Sequence, residues 1–213
     1  MAVISAIVPD PRRPGRVDVA VDGKSMGAVP VEALASLGLR VGAPFEPVRA
    51  AFEAERARLG TWDRATGLLA ARARSRMELR RLLVRKGEPA DQVDRALDRL
   101  EAAGYLDDAD FARQFARSKA LGGGMSRRRL QQELARRGVD RSIAEPAIAE
   151  VYAEEEVSEL DAAERLARKK LRSLARYDEA TRRRRLYGYL ARRGFEGEEI
   201  REILARIEGE TAD

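Results

Sequence analysis

The residues whose types and spacing could do chemistry are cations: RRR at 127–129 and RRRR at 182–185, with Lys169 and Lys170 before the second run. Their chemistry is binding. Such clusters suit a polyanion met through its backbone, where each neutralised phosphate releases counterions and adds affinity without sequence choice. A solvated face laced with salt bridges accounts for any single arginine equally well. The two runs together read as a partner surface, because both sit at the starts of their helices, where the helix dipole disfavours cations and the placement costs local stability.

Catalysis has little to work with. The chain contains no His and no Cys, which removes disulfides, thiolate nucleophiles, imidazole bases and the usual zinc ligands. No carboxylate pair has a partner base or a ligand set, so the expected catalytic and metal-binding residues are none, and no cofactor is expected. Asp107 and Asp108 read as caps for the helix led by Phe111. The GGGMS stretch lacks the GK[ST] ending and the preceding strand of a phosphate loop. It reads as a flexible connection that lets one helix shift against the next.

The elements that must position these cations are mostly helices. Of 213 residues, 44% are hydrophobic and 36% charged, which suits a highly solvated, thinly cored helical chain. Residues 1 to about 45 differ: VISAIV and RVDVAV are β-branched runs split by PDPRRPG, and VDGK supplies a turn. Val17, Val19 and Val21 alternate with Asp18 and Ala20, the period of a strand with one buried face. A short helix from Val31 to Leu37, stopped by Gly38, completes this hairpin module. No basic residue precedes the opening apolar run, and nowhere do about 18 apolar residues follow one another, so a soluble, cytoplasmic protein is expected.

From about Phe45 the apolar spacing becomes helical. The pentapeptide LARRG occurs at 134–138 and 190–194, with LVRKG at 83–87. When Gly87, Gly138 and Gly194 are aligned, Leu79, Leu130 and Leu186 fall together upstream, as do Leu83, Leu134 and Leu190. Downstream the matched sets are Val93, Ala144 and Ile200; Leu97, Ile148 and Leu204; and Leu100, Val151 and Ile207. Composition alone would not hold that register. Each unit therefore has a middle helix ending at a glycine, which reaches the left-handed conformation without a Cβ clash, then a turn and a third helix.

First helices are expected at Arg64 to Arg74, with Leu68 and Leu69 inward, at Asp110 to about Ala120, and at Leu160 to Leu174. Ser75 to Glu78 reads as a capping box. The expected divisions are a hairpin module over 1–58 and helical repeats over 61–107, 108–156 and 157–213, a tandem array.

Charge is segregated along this array. Residues 72–86, 126–137 and 181–193 hold 7, 5 and 6 basic residues against 1, 1 and 0 acidic ones, a net of +16 in a chain whose total is +5. The third helices lean acidic, as in EPADQVDRALDRLE. A helix, turn and helix can place its second helix in the major groove of DNA, but phosphates would repel an acidic one. No sequence-specific base readout is expected. Of Tyr187 and Tyr189, one should pack in the core and the other could stack on bases; Trp62 and Tyr105 should pack at junctions between repeats.

RSRMELRRLLVRKG, then GYLDDADFARQFARSK at Gly104 to Lys119, then LARRGF at Leu190 to Phe195, resemble the RecX family of bacterial RecA regulators. The resemblance covers roughly residues 61 to 207, and the hairpin ending in VDGK resembles the leading segment of longer members. It implies a mainly α fold of three tandem three-helix repeats, elongated and curved, lying in the groove of the RecA–DNA filament. The implied function is a non-enzymatic inhibitor of RecA that limits filament growth, ATP hydrolysis and strand exchange in DNA repair and the SOS response.

Contact roles carried over from the resemblance fall on Arg80, Arg81 and Arg85, on Arg127, Arg128 and Arg129, on Lys169 and Lys170, and on Arg182, Arg183, Arg184 and Arg185. Expected partners are the RecA filament and, weakly and nonspecifically, single- or double-stranded DNA; no membrane is involved, and the chain is expected to be a monomer. Two alternatives stand beside this reading: a standalone nonspecific nucleic-acid-binding protein, and an RNA-associated scaffold.

Overall fold

The computed structural model describes residues 2–122, 124–154 and 158–209. They fall into two compact units, one of Met1–Arg72 with Leu79–Tyr105 and the other of Ala73–Glu78 with Leu106–Asp213.

The first unit opens with an antiparallel sheet in the order β1 (Ile4–Pro9), β2 (Arg16–Val21) and β3 (Lys24–Pro30). Asp22 and Gly23 both have positive φ, at 47° and 78°, so VDGK makes the two-residue turn whose twist matches its strands. The sequence shows only two of the three strands. KSMGAVP is short of β-branched residues and lacks alternation, yet the turn delivers it onto β2 in register, with Val17 opposite Val29. Val17, Val19 and Val21 are buried as their spacing requires, and they share a core with Ile4, Val29, Phe45 and Phe52.

Helix α1 (Ala33–Ser36) is followed by Gly38 at φ 64°. Helix α2 (Arg49–Ala71) then runs for 23 residues, not from Arg64 as expected. The cause is Phe52, which is fully buried and meets the Phe45 ring edge-on at 5.3 Å, so the helix is anchored on the sheet. Its further buried residues are Thr61 and Ala65, whereas Leu68 and Leu69 are only half-buried. Asp63 on α2 accepts two hydrogen bonds from Arg16, at 2.6 and 2.5 Å, and pairs also with Arg13, tying β2 to the helix. This helix passes without a break through residues 58–61, where the hairpin module was expected to end.

Helix α3 (Arg76–Arg85) buries Leu79 and Leu83, and α4 (Ala90–Ala102) buries Val93, Ala96, Leu97 and Leu100. In the second unit α5 (Asp108–Leu121), α6 (Arg127–Arg136) and α7 (Arg141–Glu154) share one core. A further core joins α8 (Glu159–Arg172), α9 (Glu179–Ala191) and α10 (Gly197–Gly209).

The register inferred from the three glycines holds throughout. All fifteen aligned apolar positions are at most 3% exposed. Gly87, Gly138 and Gly194 have φ of 92°, 79° and 95°, and the amide after each returns to the leucine carbonyl five residues before it, the bond that closes a helix end around a left-handed residue.

Two helix starts need correction. Helix α9 begins at Glu179, capped by Asp178, so Arg182 is its fourth residue and the RRRR run is not at the start. Ser126, read as part of a linker, caps α6; of GGGMS, Gly123 lies outside the described residues.

Candidate polyanion interface

The N-terminus of a middle helix is held by a repeated joint. Ser75 and Ser126 each stand twelve residues before a marker glycine. The Ser75 hydroxyl accepts from the Glu78 amide at 3.1 Å and donates to the Arg137 carbonyl at 2.5 Å. The Ser126 hydroxyl accepts from the Arg129 amide at 3.2 Å, while its own amide donates to the Arg193 carbonyl at 2.9 Å. The next amide goes to a carboxylate in both cases: Arg76 donates to Asp108 at 2.7 Å and Arg127 to Glu159 at 2.9 Å.

Arg137 and Arg193 immediately precede Gly138 and Gly194, and a Cβ on those glycines would collide with Met77 and with Ser126 and Arg129 respectively. Gly87 meets nothing within 4 Å. Thus Asp107 caps its own helix, accepting from the Ala109 and Asp110 amides, but Asp108 serves α3 instead. Burial pushes the Asp108 and Glu159 carboxyls above the usual range, partly offset by the amides they accept from. Burial also pushes Tyr152, beside Glu159, up to about 12.

This joint absorbs one of the two arginine runs. Arg127 lies 3.5 Å from Glu159 and 4.4 Å from the Tyr152 ring centre. Arg128 donates to the Gly194 carbonyl at 3.1 Å and lies 3.8 Å from Glu196, and Arg129 pairs with Glu133 at 2.7 Å. Arg80 on α3 makes a two-pronged contact with Asp94, at 2.6 and 3.0 Å. Arg81 and Arg85 are exposed on the same helix.

The third middle helix and its approach are different. Lys169, Arg183, Arg184 and Arg185 are exposed, while Lys170 and Arg182 are half-buried. The Arg185 guanidinium lies 4.0 Å from the Tyr177 ring centre, and Lys170 sits 5.9 Å from that of Tyr189. Tyr189 packs against the core whereas Tyr187 is 42% exposed, the division that their spacing implies. Tyr105 is 67% exposed and so is not packed at a junction. Among the described residues, no group of three or more acidic, His or Cys side chains is placed to hold a metal ion, and no helix is long and apolar enough to cross a membrane.

Three family profiles match the chain in order: RecX, first three-helix domain, over residues 62–100; second, over 107–148; and third, over 157–204. The chain belongs to the RecX family. Regulatory protein RecX of Mycobacterium avium (strain 104) is 44% identical over 130 residues, covering 60% of this chain and 73% of that one. Its counterpart from Mycobacterium ulcerans (strain Agy99) is 45% identical over 129 residues, with the same coverage. Both relatives are named as regulatory proteins. A crystal structure of regulatory protein RecX superposes with a TM-score of 0.72 at 22% identity, covering 95% of this chain and 98% of that one. RecX from Lactobacillus salivarius gives 0.58 at 18%, covering 72% and 97%. These two likenesses concern the fold.

Within this RecX-family chain, sequence reasoning missed Arg137, Arg176 and Tyr177. Arg137 pairs with Glu133 at 2.9 Å and Glu78 at 3.5 Å while lying over Phe115. It stands before a marker glycine, where the helix dipole is explanation enough. Only the folded chain brings Glu78 to it.

Proposed function

We propose that this chain is a non-enzymatic regulator of the RecA recombinase that binds along the RecA–DNA filament in the cytoplasm and limits filament growth, ATP hydrolysis and strand exchange. The observation that carries this reading is the presence of all three RecX three-helix domains, in order, in one chain. The contacts rest on cations that make no ion pair among the described residues, Arg85, Lys169, Lys170, Arg182 and Arg185, with Arg184, which lies in the field of Asp178, and Arg80, Arg81 and Arg183 beside them. Arg127, Arg128 and Arg129 serve the joint first and a partner second. A filament offers protein carboxylates and phosphates together, which suits basic helices alternating with acidic ones. The test is DNA-dependent ATP hydrolysis by RecA. Substoichiometric amounts of this chain should suppress it, and no effect even at excess would defeat the reading.

A second reading, nonspecific nucleic-acid binding without a recombinase, is favoured by the same exposed and half-buried cations. It requires tight, steeply salt-dependent binding to DNA alone.

A further inference from the structure

The segment LARYD joins α8 to α9, and its Tyr177 is the hub of a cation cluster. The ring packs against the core of the third helix trio. Arg185 lies 4.0 Å from its centre and Arg176 4.9 Å, and Arg176 donates to the phenol oxygen at 2.8 Å. Lys170 acts on the same phenol through space; together with Arg176, whose hydrogen bond has the largest effect, and Arg185, it draws the phenol below its ordinary range.

Helix electrostatics explain only part of this. Lys169, Lys170 and Arg172 occupy the last turn of α8, where the dipole favours cations. Arg176 lies beyond that turn, and Arg185 is the central residue of α9, out of reach of the favourable C-terminal end of its dipole. Three other stacked guanidiniums are neutralised: Arg49 over Phe45 pairs with Glu46, Arg127 over Tyr152 with Glu159, and Arg137 over Phe115 with Glu133. Among the described residues, no carboxylate is within ion-pair distance of Lys170, Arg176 or Arg185. The neighbouring Asp178 is occupied in accepting the Thr181 amide. Two guanidiniums at one ring, with the Lys170 ammonium over the neighbouring Tyr189 ring, repel one another, and an anion relieves that repulsion.

We propose that Arg176 and Arg185 at the Tyr177 ring, with Lys170 over the Tyr189 ring, form a binding site for a single phosphate group. A tetrahedral phosphate offers oxygens to cations arriving from several directions, and a guanidinium over a ring, as Arg185 is, still has N–H donors for them, while Arg176 spends one on the phenol. A planar carboxylate satisfies one fork. The site deepens the regulator reading and rests on it for the source of the phosphate, a nucleic-acid backbone; inorganic phosphate is the other source with the same chemistry.

The experiment follows arginine side-chain NMR signals of the full chain during titration with inorganic phosphate, with an abasic deoxyribose-phosphate oligomer, and with polyglutamate. Arg176 and Arg185 should shift together and saturate with phosphate and, at lower concentration, with the oligomer, while exposed Arg141 and Arg201 stay still. Loss of one charge-assisted contact in Arg185→Gln should weaken binding about tenfold. Tyr177→Phe keeps the ring and should bind within about twofold of the parent, while Tyr177→Leu should lose about as much as Arg185→Gln at unchanged helicity. Saturation by phosphate alone assigns the site to free phosphate. Shifts that never saturate, that spread over all exposed arginines as charge screening only, or that polyglutamate reproduces would overturn the site. RecA ATP hydrolysis on the same samples separates the two claims: phosphate binding without suppression leaves the site and removes the regulator reading, and suppression with silent Arg176 and Arg185 does the reverse.

Discussion

The Ser75 hydroxyl and the Arg137 carbonyl, 62 residues apart, are joined by a hydrogen bond of 2.5 Å, and the same hydroxyl caps α3. Ser75 is fully buried, so Ser75→Ala removes a cap worth about 1 kcal/mol and strands a carbonyl at a further cost of about 1–3 kcal/mol. Ser126 makes the equivalent joint through its backbone amide, which mutation does not touch, so Ser126→Ala should cost only about 1 kcal/mol. Urea unfolding followed by circular dichroism ranks the two variants. Equal losses would mean that the Ser75 hydroxyl does not contribute across the joint.

Gly87 and Gly138 share a left-handed backbone, at φ 92° and 79°, but only Gly138 faces a neighbour, Met77. Alanine should cost about 1–2 kcal/mol at Gly87 from conformation alone. At Gly138 the displaced Met77 adds about 1–3 kcal/mol to that. The same unfolding measurement decides, and matching losses would show that the close approach is relieved cheaply.

Stability should carry two opposed pH slopes. Burial raises the Asp108 carboxyl, so the folded chain holds that proton more tightly than the unfolded chain. Its contribution is greatest below about pH 4, the unfolded value, and declines as pH rises through the raised folded value. Asp63 is the reverse: the Arg16 hydrogen bond holds its carboxyl low, so its contribution is full above about pH 4 and is lost as pH falls through the depressed value. Relative to the parent, Asp108→Asn should therefore gain, and Asp63→Asn lose, more melting temperature near neutrality than near about pH 4.

Charge reversal should separate the two arginine runs. Changing Arg182, Arg183, Arg184 and Arg185 to Glu should leave helicity intact and abolish suppression of RecA ATP hydrolysis, because exposed charges seldom carry fold stability. Reversing Arg127, Arg128 and Arg129 should instead cost about 1–3 kcal/mol of stability, since it sets Glu against Glu159, Glu196 and Glu133 and empties the bond to the Gly194 carbonyl. Unchanged suppression by the first variant would move the interface elsewhere.

Much of the helical array is legible in the chain because helix periodicity and glycine stops are local properties. Leu79, Leu83, Val93, Leu97 and Leu100 are all fully buried, as their spacing from Gly87 requires. The extent of α2 is only partly legible: helical spacing begins near Phe45, but that residues 49–71 form one unbroken helix anchored through Phe52 on the sheet of residues 4–30 is not. Strand β3 is hidden for the same reason, because pairing with β2 rather than its own composition makes it a strand.

Residue types and local spacing determined the three aligned glycines, the buried stripes, the segregation of charge and the absence of imidazole and thiol chemistry. Tertiary structure decided which arginines remain available: Arg127 and Arg128 meet Glu159 and the Gly194 carbonyl, whereas Arg185, among the described residues, meets the Tyr177 ring and no carboxylate. The physical reason is that a charge's availability depends on the partners folding brings within about 4 Å of it. Glu159 and Gly194 lie 32 and 66 residues from the arginines they meet.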